Sequence, residues 1–295
     1  MKSPVFTGSA VAIVTPFTGD FVDFPRLGEL IDWQIDNGSD AIVICGTTGE
    51  ASTQTIPEHL ASVEFAIKRA DGRVPVIAGT GSNDTAHALM MSQSAEKSGA
   101  DALLIVSPYY NKATQAGLVK HYTYIADRVH IPIILYNVPA RTAMSFTADT
   151  YRELSRHPLI NGVKEASGNL NLIAQTRMRC RDDEFYIWSG NDTDTVPILA
   201  MGGQGVISTM ANVIPREVAD ICRLWREGHI RESADLQIKY QELIDSLFCE
   251  VNPIPVKTAM RLIGKDCGPL RMPLCDMSPQ NLERLRAAMT EVGLL

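Results

Sequence analysis

The chain has 295 residues, 45% of them hydrophobic, enough for one large α/β barrel or two smaller domains with a sizeable core. A formal net charge of −7 argues against nucleic acid or an anionic membrane as partner. The six cysteines (45, 180, 222, 249, 267 and 275) show no Cys-x-x-Cys pairing, and a chain this long needs no disulfides, so free thiols in a reducing cytoplasm are expected.

Short runs rich in Val and Ile alternate with helix-length amphipathic segments along the chain. The predicted strands are Ala10–Val14, Ala41–Cys45, Val74–Ala78, Ala102–Val106, Ile131–Tyr136, Leu159–Lys164, Phe185–Ser189 and Gly205–Ser208. They show little polar alternation, which suits strands buried on both faces of a parallel sheet. Between the first two, Leu27, Leu30, Ile31 and Ile35 fall at helical spacing. Pro57 and Glu58 suit a helix start, as does Asp84 ahead of the segment ending near Gly99. An eighth helix is expected at Pro215–Glu227. This order predicts a (β/α)8 TIM barrel over residues 1–228, with a doubly wound sheet as the alternative. Residues 229–295 read as a C-terminal helical appendix. Leu236, Tyr240, Leu243, Ile244 and Leu247 form one face, and Leu282, Leu285 and Met289 another. The apolar run in MKSPVFTGSAVAIVTPF is too short for a signal peptide, and no stretch reaches the roughly 18 apolar residues of a membrane span.

Active sites of such barrels sit at the C-terminal ends of the strands. Strand two is followed by Gly46-Thr47-Thr48-Gly49-Glu50 and strand four by Ser107-Pro108-Tyr109-Tyr110-Asn111. Strand five ends in Tyr136-Asn137 with Arg141 just beyond, strand six ends in Lys164, and strand seven runs into Gly190-Asn191-Asp192. A lysine closing the apolar run Leu159–Val163 stands out. Burial disfavours its ammonium form, and a neutral amine is the nucleophile that makes Schiff bases with carbonyls. The alternative is a side chain that snorkels out to pair with a carboxylate. A Schiff-base site for a 2-oxo acid also needs donors for the carboxylate, which the hydroxyls and N–H groups of Gly46–Gly49 can supply. It needs a proton shuttle, for which Tyr136 is the candidate, with Thr47 and Tyr110 as relay. Arg141 suits a bidentate grip on a second carboxylate.

Other chemistries fail on spacing. Gly79-Thr80-Gly81-Ser82-Asn83-Asp84 lacks the third glycine of a dinucleotide loop, and no phosphate loop with Gly-Lys-Ser/Thr exists. The six histidines form no His-Glu-x-x-His or other close ligand set, so no metal is expected.

The motifs GTTGE (46–50), SPYYN (107–111), LYNVPART (135–142), GVKEASGNL (162–170) and NPIPVK (252–257) together resemble the dihydrodipicolinate synthase family. That family belongs to the class I pyruvate aldolases, which also include N-acetylneuraminate lyase. The resemblance runs from Phe6 to the C-terminus. It implies that Lys164 forms the Schiff base with pyruvate and that Thr47, Tyr110 and Tyr136 relay protons. It implies that Thr48 binds the pyruvate carboxylate and that Gly190 and Ile207 line the pocket through backbone groups. Arg141 then binds the carboxylate of L-aspartate 4-semialdehyde. The implied assembly is a homotetramer of two tight dimers in which Tyr110 reaches the partner's site, with no cofactor beyond the covalent imine. A lysine-binding cleft of the family matches Ser52, Ile56, His59, Asn83, His87 and Tyr109. Ile56 and His87 stand where the best-known lysine-sensitive pattern has a histidine and a glutamate, which implies weak lysine inhibition or none. A lyase of sialic or 2-keto-3-deoxy sugar acids is the nearest alternative, and Arg141 favours a short carboxylated aldehyde over it. A non-enzymatic 2-oxo-acid sensor would need no proton relay.

Overall fold

The computed structural model describes residues 2–295. Eight parallel strands close into a barrel: β1 Gly8–Ala12, β2 Ala41–Ile44, β3 Val76–Gly79, β4 Ala102–Val106, β5 Ile133–Asn137, β6 Ile160–Glu165, β7 Tyr186–Ser189 and β8 Gly205–Ser208. Closure comes from β1, which pairs with both β2 and β8. The expected (β/α)8 barrel is therefore present, with small shifts at the strand ends. β3 and β5 start two residues later than the apolar runs, because Pro75 and Pro132 have no N–H for the ladder.

Side chains alternate between two cores. Ala10, Ala12, Ala41, Val43, Ile77, Ala102, Leu104, Ile134, Tyr136, Trp188 and Ile207 fill the barrel interior. The alternate residues, such as Ile42, Ile44, Leu103, Ile133 and Val163, pack outward under the helices. Both faces are apolar, which is why the strands read as continuous hydrophobic runs. Small alanines on one side make room for Trp188, on which Phe6 stacks with ring centroids 5.2 Å apart. Gly162 leaves the space for that indole; a Cβ there would meet Tyr186 O at 2.0 Å and the Trp188 ring at 3.0 Å.

The surrounding helices start and stop where local chemistry directs. Thr55 and Glu58 form a capping box on the helix Ile56–Ala70, and Asp84 caps Thr85–Ser98. A hairpin of Phe17–Thr18 with Phe21–Val22 was not expected from the sequence. Its Gly19-Asp20 turn is a recognisable signal in so short a segment.

The tail differs from the expectation in one respect. The face from Leu236 to Leu247 is split at Tyr240 into two helices, Ile230–Lys239 and Gln241–Leu247. Two more helices follow, Ile254–Leu262 and Pro279–Glu291. Gln241–Leu247 lies against the turn Asp192–Asp194, and Ile254–Leu262 against the turn Met210–Asn212. Those turns follow β7 and β8, so the appendix packs on the end of the barrel where the strands have their C-termini.

Candidate active site

Tyr136 and Lys164 are register partners on β5 and β6, and both point into the barrel. The Lys164 side chain is only 6% exposed, and its Nζ lies 4.5 Å from the centroid of the Tyr136 ring. Neither Nζ nor the Tyr136 hydroxyl nor the Thr47 hydroxyl bonds to another group among the described residues. The hydroxyl relay between Thr47 and Tyr136 is thus not closed here; such bonds often tighten only with substrate bound. Gly190 follows β7 and must be glycine, because a Cβ would meet Lys164 Cγ at 3.1 Å and Ala166 Cβ at 2.7 Å. Its N–H is spent on Glu165 O at 2.8 Å.

The loop after β2 makes two successive tight turns, Gly49 N to Gly46 O and Glu50 N to Thr47 O, both at 3.1 Å. The N–H groups of Thr47 and Thr48 have no acceptor among the described residues, so two adjacent donors remain for an anion. Thr48 is buried, and its Oγ1 accepts from Asn252 Nδ2 at 2.9 Å and lies 3.5 Å from Thr209 Oγ1. Arg141 sits in the short turn of helix Pro139–Thr142 after β5 and donates from Nη2 to Asn252 O at 3.1 Å. Ile207 on β8 is buried in the barrel interior.

Tyr110 does not join this group. Its side chain is 92% exposed and its backbone is left-handed at φ 65°, projecting the ring away from the chain. The sequence-predicted relay is therefore incomplete within one chain.

A cavity of about 520 Å³ opens beside the site. Its wall includes Thr47, Tyr136 and Arg141 but not Lys164, Thr48, Gly190 or Ile207. The same cavity runs past Cys45 to Ser52, Ile56, His59, His87 and Tyr109, five of the six residues expected at a lysine cleft. Asn83 is not on the wall; its carbonyl accepts from Asn111 Nδ2 at 2.9 Å. His59 Nε2 contacts Gly79 O at 2.8 Å, and burial, with His87 nearby, pulls its pKa below the ordinary histidine value.

Two buried carboxylates lie near Lys164, Glu165 next to it on β6 and Asp192 in the turn after β7. Glu165 faces away from the barrel interior and accepts from Asn137 Nδ2 at 2.9 Å, Tyr151 OH at 2.8 Å and Ser167 N at 3.0 Å. Asp192 accepts from the Ser208 hydroxyl and from the N–H groups of Thr209 at 3.2 Å and Met210 at 3.0 Å. Burial raises the pKa of both carboxyls; at Asp192 these donors and the Lys164 charge work against the rise. Asp192 thus ties the turn after β8 to the loop after β7, close enough to Lys164 to feel its charge.

The sequence reading assigned no role to Asp192, Asn252 or Lys257, nor to Glu50 beyond its place in a motif. Lys257, only 2% exposed, binds Glu50 Oε1 at 2.8 Å, Thr15 O at 3.1 Å and Pro269 O at 2.9 Å. Glu50 Oε2 also takes Arg271 N at 2.9 Å. The available signal was a pair of polar side chains, Asn252 and Lys257, flanking the apolar run from Pro253 to Val256.

Residues 5–292 match the model of the dihydrodipicolinate synthetase family. The chain belongs to that family. A 4-hydroxy-tetrahydrodipicolinate synthase of Thermoanaerobacter sp. (strain X514) is 53% identical over 293 residues, 99% of this chain and 98% of that protein. The solved dihydrodipicolinate synthase of Aquifex aeolicus is 44% identical with a TM-score of 0.95, covering 98% of this chain and 99% of that one. A solved structure described as a monomeric dihydrodipicolinate synthase variant is 39% identical with a TM-score of 0.95, covering 99% of this chain and 98% of that one. This member of the dihydrodipicolinate synthetase family is accordingly an enzyme, a lyase with 4-hydroxy-tetrahydrodipicolinate synthase activity on the diaminopimelate route to lysine. Among its described residues no helix is long and apolar enough to cross a membrane.

Proposed function

We propose that Lys164 condenses with pyruvate and that the enamine formed attacks the aldehyde carbon of L-aspartate 4-semialdehyde. The observation that carries this reading is Lys164 itself: inward, nearly buried, beside Tyr136 and bonded to no acceptor of the chain. Its amine adds to the pyruvate carbonyl, the carbinolamine loses water, and the iminium withdraws electrons as a methyl proton leaves. The enamine carbon then bonds to the aldehyde carbon, whose oxygen takes a proton. The amino group of the second substrate displaces Lys164 and closes the ring, which frees the lysine. The imine nitrogen serves as the electron sink, so this route calls on no cofactor or metal.

Each proton transfer needs a shuttle, and Tyr136 is assigned that role with Thr47 and the Tyr110 of a neighbouring chain. Thr48 and the two free N–H groups of its loop hold the pyruvate carboxylate. Gly190 and Ile207 shape the pocket through their backbones, and Arg141 grips the carboxylate of the aldehyde. A homotetramer of tight dimers in the cytoplasm, built as a barrel over 1–228 with a tail over 229–295, completes the reading. The same reading gives the Ser52–Tyr109 side cleft little affinity for lysine.

Pyruvate with borohydride is expected to inactivate the enzyme and leave one reduced pyruvyl group on Lys164, located by peptide mass mapping. An adduct on any other lysine sinks the assignment. Tyr110→Phe and Lys164→Ala assemblies are each expected to be nearly inactive, and activity to return in part after their subunits exchange. No return despite mass-spectrometric proof of mixing would place Tyr110 in its own chain's site.

A further inference from the structure

Asn252 touches both groups assigned to the two substrate carboxylates, although it lies in the tail, remote in sequence from either. Its side-chain Nδ2 donates to Thr48 Oγ1 at 2.9 Å, and its main-chain oxygen accepts from Arg141 Nη2 at 3.1 Å. The residue is 6% exposed, and its Oδ1 is buried without a hydrogen-bond partner among the described residues. An unpaired buried acceptor is costly and calls for an explanation. Shape alone does not supply one, since leucine fills a similar volume without the penalty.

We infer that Asn252 is a positioning residue that fixes the polarity of the Thr48 hydroxyl while its carbonyl orients Arg141. A hydroxyl has one proton and two lone pairs. With the Asn252 amide donating to the oxygen, the Thr48 proton is directed away from Asn252. It points toward Thr209 Oγ1, 3.5 Å off and at the outer limit of a hydrogen bond, or toward a ligand. A carboxylate accepts only, so a hydroxyl held as donor is the form that binds it. Thr209 donates its N–H to Asp192 at 3.2 Å, which ties the backbone beside Thr48 to the loop after β7. One residue of the appendix thereby prepares the first carboxylate site through its side chain and the second through its backbone.

The inference rests on the assignment of Thr48 to the pyruvate carboxylate, and a double-mutant cycle separates the two. Thr48→Val is expected to raise KM for pyruvate roughly tenfold or more, the worth of one charge-assisted hydrogen bond. Asn252→Leu, which frees the hydroxyl to rotate, is expected to raise it about three- to tenfold by losing part of that bond. In this variant kcat and KM for the aldehyde should hold, since the carbonyl facing Arg141 remains. The double variant should be no worse than Thr48→Val, because Asn252 has nothing left to orient. Multiplying effects would overturn the inference, as would a rise in both KM values together, the mark of a merely structural residue. Thr48→Val with unchanged KM for pyruvate would overturn the Thr48 assignment and the inference with it. Asn252→Ala carries the same cycle should the leucine variant not fold.

Discussion

Lys164 and Lys257 are two lysines in nearly the same physical situation, one with its amine free and the other with it engaged. Both are almost inaccessible, at 6% and 2% exposure, and both hold Nζ over an aromatic ring, Tyr136 at 4.5 Å and Phe17 at 4.7 Å. They differ in the saturation of their donors. Lys257 spends its three protons on the Glu50 carboxylate and the carbonyls of Thr15 and Pro269. Burial draws its pKa below the ordinary lysine value, and Glu50 draws it back. Lys164 spends none on the chain and stands beside Tyr136, whose hydroxyl is equally uncommitted. Burial alone therefore does not distinguish the two lysines; the presence or absence of partners does. The saturated pair also serves the unsaturated site. Glu50 is a non-glycine residue in left-handed backbone at φ 52°, closing the loop that carries Thr47 and Thr48. Lys257 and Arg271 N hold it there from the tail.

The comparison breaks most sharply at the lysines themselves. Lys164→Met is expected to fold normally, yield no borohydride adduct with pyruvate and lose at least about a thousandfold in rate. Lys257→Met should still form the adduct on Lys164 but lose about 3–5 kcal/mol of stability, because it strands a buried carboxylate. Adding Glu50→Leu should return most of that loss, since removing both charges together is far milder than removing one. Denaturant titration alongside adduct mass analysis checks all three. A folded Lys257→Met enzyme unable to form the imine would put Lys257 in the chemistry.

Arg141 lies between the two extremes, hooked once to Asn252 O with the rest of its guanidinium free. Arg141→Ala should leave imine formation intact and lower catalytic efficiency with the aldehyde more than about tenfold, consistent with 2–5 kcal/mol for a lost charge partner. Equal failure of imine formation would make Arg141 structural or a pyruvate ligand.

The smallest effect is expected in the side cleft, where saturation and charge both work against a cationic ligand. His59 already engages Gly79 O, Ile56 is apolar, and His87 offers no carboxylate for an ion pair. Free L-lysine should therefore inhibit weakly or not at all in a titration of initial rates near neutral pH. Strong inhibition at sub-millimolar lysine, abolished by substituting Asn83 or Tyr109, would show that the cleft works without a carboxylate.

Much of the architecture was legible because it is written over short distances. Eight apolar runs, each buried on both faces, gave eight barrel strands, their ends misplaced by no more than two residues, at β3 and β5 because of Pro75 and Pro132. Lys164 and Tyr136 stood out as polar groups at the ends of such runs, and the barrel brings them into register. The Phe17–Val22 hairpin escaped because each of its strands is two residues long, too short to show a period. The break at Tyr240 escaped because the apolar face continues through it.

The sequence by itself determined the barrel, the lysine at its strand end and the motif set of the family, because strand periodicity and helix caps act between residues a few positions apart. Tertiary structure alone decided who partners whom across the chain. Asn252 finds Thr48 across 204 positions, and Lys257 finds Glu50 across 207. Nothing local in either segment distinguishes a lysine whose donors will be saturated from one whose donors will stay free. That distinction arises only when the tail closes onto the barrel, where desolvation makes every donor either find an acceptor or remain available to a substrate.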